Sequence, residues 1–176
     1  MWLRDALPRA NPGVRSVIYG YDTHLPNSQS FKRIEDIAIA FTSKLKAIGC
    51  CSPSAKPTMF LAHSLGGVVL KQSLVDMARG DDWIVHLLSK VRRIILFGVP
   101  NRGMKISHLV QMVKEQPNEQ LVECLAPGQN YLEWLDDRLG GIAFHRDMRI
   151  MSVYETLQKQ LPKVRLGDNP NGRASS

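Results

Sequence analysis

A chain of 176 residues, 44% of them hydrophobic, has the length of one domain with a sizeable core, and no run in it approaches membrane-spanning length. The formal charge of +7 is the net of 23 Lys and Arg against 16 Asp and Glu; the basic residues, Arg92, Arg93, Lys105, Lys114, Lys159, Lys163 and Arg165 among them, are scattered and read as solvated faces and a basic tail. There is no aromatic–basic stripe and no helix-turn-helix or zinc spacing, so a nucleic-acid partner is not expected, and what remains is a weak attraction to anionic phospholipid surfaces.

Met1 to Pro12 reads as a loop or short helical turn, with Trp2 and Leu3 packed on the body. Its charges and prolines stand where a signal peptide needs an apolar core. The three cysteines, Cys50, Cys51 and Cys124, make no disulfide framework. Together these features predict an intracellular, reducing compartment. Val14 to Tyr19 is apolar and β-branched, and reads as a buried strand ending at Gly20. Phe31 to Ile48 has apolar residues at 31, 34, 37, 38, 41, 45 and 48, a helical period closed by Gly49, with Ser30 as a cap. Thr58 to Ala62 is a second strand, and Val68 to about Ala78 a second helix.

Trp83 to Leu88 is a short helix, and Val91 to Phe97 a third strand ending at Gly98. Met104 to Leu139 is mostly helical in pattern, broken at Pro117 and at Pro127-Gly128 and ended by Gly140-Gly141, and is long enough to cap a site. Met148 to Tyr154 is a fourth strand, followed directly by Glu155. Residues 1–160 form the domain; residues 161–176, rich in Pro, Gly, Asn, Ser and Arg, are expected to be a disordered tail.

The junction between the second strand and its helix carries the chemistry. His63-Ser64-Leu65-Gly66-Gly67 breaks the apolar run sharply. Strand, tight turn with a serine, and helix make a nucleophile elbow of the α/β-hydrolase kind. The pattern is A-x-S-x-G, with Ala62 and Gly66 as the small neighbours that let strand and helix pass closely. The helix N-terminus brings a positive dipole end behind Ser64, and the Leu65 amide is placed to donate to an oxyanion. The competing reading is a Gly-rich turn of another α/β protein, with Ser64 as a helix cap.

The alternation of strands and helices predicts a mostly parallel sheet with helices on both faces. In such sheets active residues gather beyond the strands' C-terminal ends. Asp22, Ser64, the loop Asn101-Arg102-Gly103 and Glu155 all fall at those ends.

WLRDALP at the start, YGYD at 19–22, FLAHSLGGVVLKQSL at 60–74, ILFGVPNRG at 95–103 and VYET at 153–156 resemble one family. It is the lipase-like α/β-hydrolases that include the serine-active-site-containing protein of mitochondria and endoplasmic reticulum. The N-terminal domains of many fungal NACHT, ankyrin and tetratricopeptide-repeat proteins are of the same kind. The resemblance implies a serine nucleophile, an acid after a later strand and a histidine after that. It implies lipid or ester substrates, peripheral membrane contact, and a mitochondrial or endoplasmic-reticulum setting. Ser64 matches the nucleophile, and Glu155 the acid. Asn101 and Arg102 belong to the site loop, with Asn101 where the family's P-H-R-G loop has histidine. The family's upstream strand and HG loop, a source of one oxyanion amide, would lie before Met1, so the domain reads as truncated at both ends.

All five histidines, at positions 24, 63, 86, 108 and 145, precede Glu155. In this fold the order is Ser, acid, His, and without the imidazole the serine has no base. His108, after the site loop, is the candidate substitute. No cofactor is implied, and no His or Cys pair has metal-ligand spacing. The expectation is a lipase/esterase-like serine hydrolase domain working through a seryl intermediate, catalytically impaired. The alternative is a non-catalytic interaction or sensor module.

Overall fold

A computed structural model describes residues 2–22, 33–103, 115, 119–128 and 130–154. Three strands form the sheet, in the order β1 (Thr58–His63), β2 (Val91–Phe97), β3 (Arg149–Val153), with both pairings parallel. The helices are α1 (Trp2–Asp5), α2 (Leu7–Ala10), α3 (Ile34–Ala47), α4 (Leu65–Met77), α5 (Asp82–Lys90), α6 (Glu119–Glu123) and α7 (Asn130–His145). This is an α/β architecture of the α/β-hydrolase type, as the alternation of elements predicts.

α4 is the centre of the core. Val68, Val69, Leu70, Leu74, Val75 and Met77 are all buried, so apolar residues surround the helix instead of lining one stripe. It packs on β1, α3, α5 and α7. α3 presents Ile34, Ile37, Ala38 and Leu45 to it. The α3 N-terminus is held by the Asp36 carboxylate, which accepts from the Arg33 amide at 2.9 Å. Its C-terminus closes on Gly49 at φ +82°, where the Cys50 amide reaches back to the Leu45 carbonyl at 3.1 Å.

The register sorts the strands into two faces. Phe60–Ile94–Ile150 and Ala62–Leu96–Ser152 form rows toward the helices. Met59–Arg93–Arg149, Leu61–Ile95–Met151 and His63–Phe97–Val153 form rows on the other side. On that side Met59, Leu61, Phe97, Met151 and Val153 are exposed. Among the described residues, helices therefore cover one face of the sheet and not both.

Three expectations change. Val14 to Tyr19 pairs with no strand among the described residues, and Val14, Val17 and Ile18 are exposed. The segment is held instead from outside a sheet: the Arg15 guanidinium donates to the Ile48 carbonyl at 2.9 Å, and the Tyr19 ring packs on Phe41 at 4.8 Å. β-branched composition cannot supply a partner edge. α7 runs through Gly140-Gly141 to His145 because Leu139 and Ala143 are both buried, and packing outweighs the cost of the glycines. α7 is also a core helix against α4, not a cap. Ser30, most of Met104 to Asn118, Glu155 and the tail lie outside the described residues.

Candidate active site

Ser64 stands between the last residue of β1 and the first of α4, at the C-terminal edge of the sheet. Its backbone is at φ 51°, ψ −129°. A side chain in this region is strained, and such strain persists only where the surroundings enforce it. Here they do. The Ser64 amide donates to the Phe97 carbonyl at 2.9 Å, and the Ser64 carbonyl accepts from the Gly67 amide at 2.9 Å. The turn is thus pinned to the end of β2 on one side and to the first turn of α4 on the other.

The close approach falls on Gly67. A Cβ there would sit 2.2 Å from Val99 Cγ2, whereas one on Gly66 would meet only the Tyr21 hydroxyl at 3.8 Å. The motif glycine at Gly66 is therefore not the steric pinch point; its neighbour is. With the Ser64 and Gly67 amides occupied, those of Leu65 and Gly66 bond to none of the described residues. They point out of a helix N-terminus, where amides lack intrahelical acceptors.

Tyr21 brings the strand-like N-terminal segment back to the elbow. Burial, and then the neighbouring Tyr19, push its phenol above the usual tyrosine value, so it stays protonated at neutral pH. Its ring lies 6.0 Å from Tyr19, within a row of aromatics continued by Phe41 and Phe60.

Asn101 and Arg102 occupy the loop after β2. Val99 packs over Gly67, and the Asn101 side chain accepts from the Lys71 ammonium at 2.8 Å. The loop therefore runs along α4, and Asn101 meets that helix seven residues beyond Ser64, about 10 Å along its axis. Arg102 is exposed and bonds to none of the described residues. Both residues line an open cleft of about 760 Å³ with Gly103, Glu133, Asp136, Asp137 and Tyr154. Ser64 is not among its lining residues. The structure brings Ser64 and Leu65 together, and sets Asn101 and Arg102 in a neighbouring cleft.

No described histidine completes a dyad with Ser64. His63 is exposed on the uncovered sheet face. His86 is on α5 shortly before β2 begins, and its Nε2 is buried with no partner among the described residues. His145 ends α7, just before β3 begins. Both therefore lie toward the N-terminal edge of the sheet, opposite Ser64. His24, His108 and Glu155 lie outside the described residues. Among the described residues no cluster of three or more His, Cys, Asp or Glu could hold a metal. No helix among them is long and apolar enough to cross a membrane.

Lys71 was not legible as a site residue. It is buried in the core helix, 2% exposed, and pairs with Asp136 of α7 as well as with Asn101. A lysine in the run VVLKQSL is the signal, because a buried ammonium must find partners.

No family model matches the chain. It is 26% identical over 162 residues to Protein SERAC1 of Danio rerio, and 23% identical over 160 residues to Protein SERAC1 of Homo sapiens. Each match covers 89% of this chain and 24% of the relative, so the chain spans about a quarter of the curated relatives' length. Among solved structures it is similar to the phospholipase PlaB from Legionella pneumophila in complex with thio-NAD, at a TM-score of 0.52 and 16% identity. That match covers 76% of this chain and 28% of the other. Elbow geometry, parallel sheet and these likenesses together fit the α/β-hydrolase fold.

Proposed function

We propose that the chain is a lipase/esterase-like serine hydrolase domain acting on a lipid or ester through a seryl intermediate, with low turnover as it stands. The observation that carries this reading is the Ser64 turn: a strained serine at the sheet's C-terminal edge, followed by two unengaged amides at a helix N-terminus. In the reaction, Ser64 Oγ attacks the acyl carbon. The carbonyl oxygen collects negative charge against the Leu65 amide. The ester C–O bond breaks, and the alcohol leaves with the serine proton. Water then returns the acyl group as acid. Glu155 serves as the acid member, two positions after β3 in the sequence. Asn101 and Arg102 belong to the substrate-facing loop, and His108 is the one candidate to stand in for the base.

Low turnover follows from the histidines. Loss of a triad member costs roughly a thousandfold or more. The non-catalytic reading, a fold-retaining interaction or sensor module, is favoured by the placement of His86 and His145 away from Ser64. Kinship with the N-terminal domains of fungal NACHT, ankyrin and tetratricopeptide-repeat proteins rests on the short motifs alone. A mitochondrial or endoplasmic-reticulum location and peripheral membrane contact belong to the same proposal. So does the division into a domain of 1–160 and a tail of 161–176.

The test is an ester assay on the purified chain beside the Ser64→Ala and His108→Ala variants. Weak turnover that disappears in Ser64→Ala supports the reading. Strong turnover lost in both variants replaces it with a rearranged Ser–His dyad. No turnover in a folded protein leaves the binding-module reading.

A further inference from the structure

We propose that Lys71 is a positioning residue that holds the site loop and the end of β3 in place against the elbow helix. The inference rests on the hydrolase reading, because the loop and the β3 end that it holds lie at the sheet edge that carries Ser64.

Three observations support it. Lys71 is buried, yet it is the meeting point of three elements: its ammonium donates to Asn101 Oδ1 at 2.8 Å and pairs with the Asp136 carboxylate of α7. Asn101 in turn donates from Nδ2 to the Tyr154 hydroxyl at 3.4 Å, a long bond that is backed by the Gly98 amide on the Val153 carbonyl at 2.9 Å. Tyr154 immediately precedes Glu155. A single ammonium thus links α4, α7, the loop after β2 and the residue before the proposed acid.

The choice of lysine carries information. α4 faces its neighbours mostly with Val, Leu and Met; its other two buried polar residues, Gln72 and Ser73, are neutral and bond to Tyr131 and to the Ala38 and Val69 carbonyls, so Lys71 is its fully buried charge. A methionine at position 71 would fill the same space without the cost of burying a charge, and such replacements of buried ion pairs are often neutral or stabilising. Stability alone therefore does not call for the ammonium. What it adds is direction: donors aimed at two separate acceptors fix the loop in one arrangement. The Asp136 side chain is 52% exposed, so its end of the pair is anchored less firmly than the Asn101 end. The consequence is that losing the ammonium frees the loop and the β3 end more than it weakens the fold.

The experiment uses the whole chain and compares wild type, Lys71→Met, Lys71→Arg and Asn101→Ala. Two rates are read: amide exchange by segment, and slow acylation of Ser64 by a fluorophosphonate, followed by intact mass. Lys71→Met is expected to speed exchange in residues 99–103 and 150–154 about tenfold, leave α3 and β1 unchanged, keep or raise Tm, and slow acylation about tenfold. Lys71→Arg, which keeps the donors, recovers most of both rates. Asn101→Ala reproduces the exchange effect. Unchanged exchange in both segments overturns the proposal, as does an equal increase across α3 and β1. Exchange that follows the expectation while Ser64 acylates at the wild-type rate overturns the positioning role and leaves the hydrolase reading intact. A wild type that never acylates at Ser64 overturns both.

Discussion

The two faces of the sheet are built from the same three strands and have opposite surroundings. On the helix side, Ile94 and Leu96 are 0% and 1% exposed. On the other, Met151 and Met59 are 60% and 51% exposed, one residue along the same kind of strand. Parallel sheets ordinarily have both faces covered, and their strands accordingly read as continuous apolar runs. Such a run predicts a strand well and says nothing about what lies on either side. The fold's stability and the Ser64 turn belong to the covered face and its helix α4. The other face contributes apolar side chains that stay largely exposed among the described residues, Met59 and Met151 most of all.

That contrast can be broken by substitution. The largest expected effect is in the covered row: Leu96→Ala should cost about 2–5 kcal/mol by cavity formation, whereas Met151→Thr on the bare face should stay within about 0.5 kcal/mol. Chemical denaturation of the two variants decides it. Equal losses would mean that both faces are packed.

The next effect sharpens the same comparison at the elbow. Gly67→Ala should cost about 1–3 kcal/mol, because its new methyl meets Val99 at 2.2 Å. Val99→Ala in the same chain should recover part of the loss. Gly66→Ala, with only the Tyr21 hydroxyl near, should be neutral or slightly stabilising. Thermal melts of the single and double variants test this, and a Gly66 substitution that is the costlier of the two would reverse the assignment.

A smaller shift is expected at the serine itself. Ser64→Gly relieves the strained backbone and should raise stability by about 1 kcal/mol while removing acylation. A fall in stability would mean that the turn is not strained in solution.

The last effect is alkaline. Burial, and then the nearby Glu35 carboxylate, raise the Cys124 thiol to about 11. The folded state keeps this proton after the unfolded chain has lost it, so stability falls as pH rises from about 9 to 11. Urea midpoints across that window should drop, and drop less in Cys124→Ala. A midpoint that rises there would contradict the burial of the thiol.

Much of this was legible in the sequence. Thr58 to Ala62, Val91 to Phe97 and Met148 to Tyr154 are strands to within a residue or two, because local apolar runs and their turn residues define them. Val14 to Tyr19 has the same composition without becoming a strand, since pairing depends on an edge that composition does not encode. Gly140-Gly141 reads as a stop locally, but the buried Leu139 and Ala143 carry α7 through it. At the site, the Ser64 turn was legible because sterics restrict the residues around a tight strand-to-helix junction. Two contacts were not. The pinch point at Gly67 and the cleft position of Asn101 and Arg102 depend on how the β2 loop lies along α4, which is a tertiary fact.

The central claim, that Ser64 is a nucleophile on a strained turn, meets its most direct test in intact mass spectrometry after prolonged exposure to a fluorophosphonate. The expected result is one slow adduct, mapped to Ser64, absent from Ser64→Ala and absent after unfolding. A folded chain that gains no adduct, or an adduct that persists in Ser64→Ala, would contradict it.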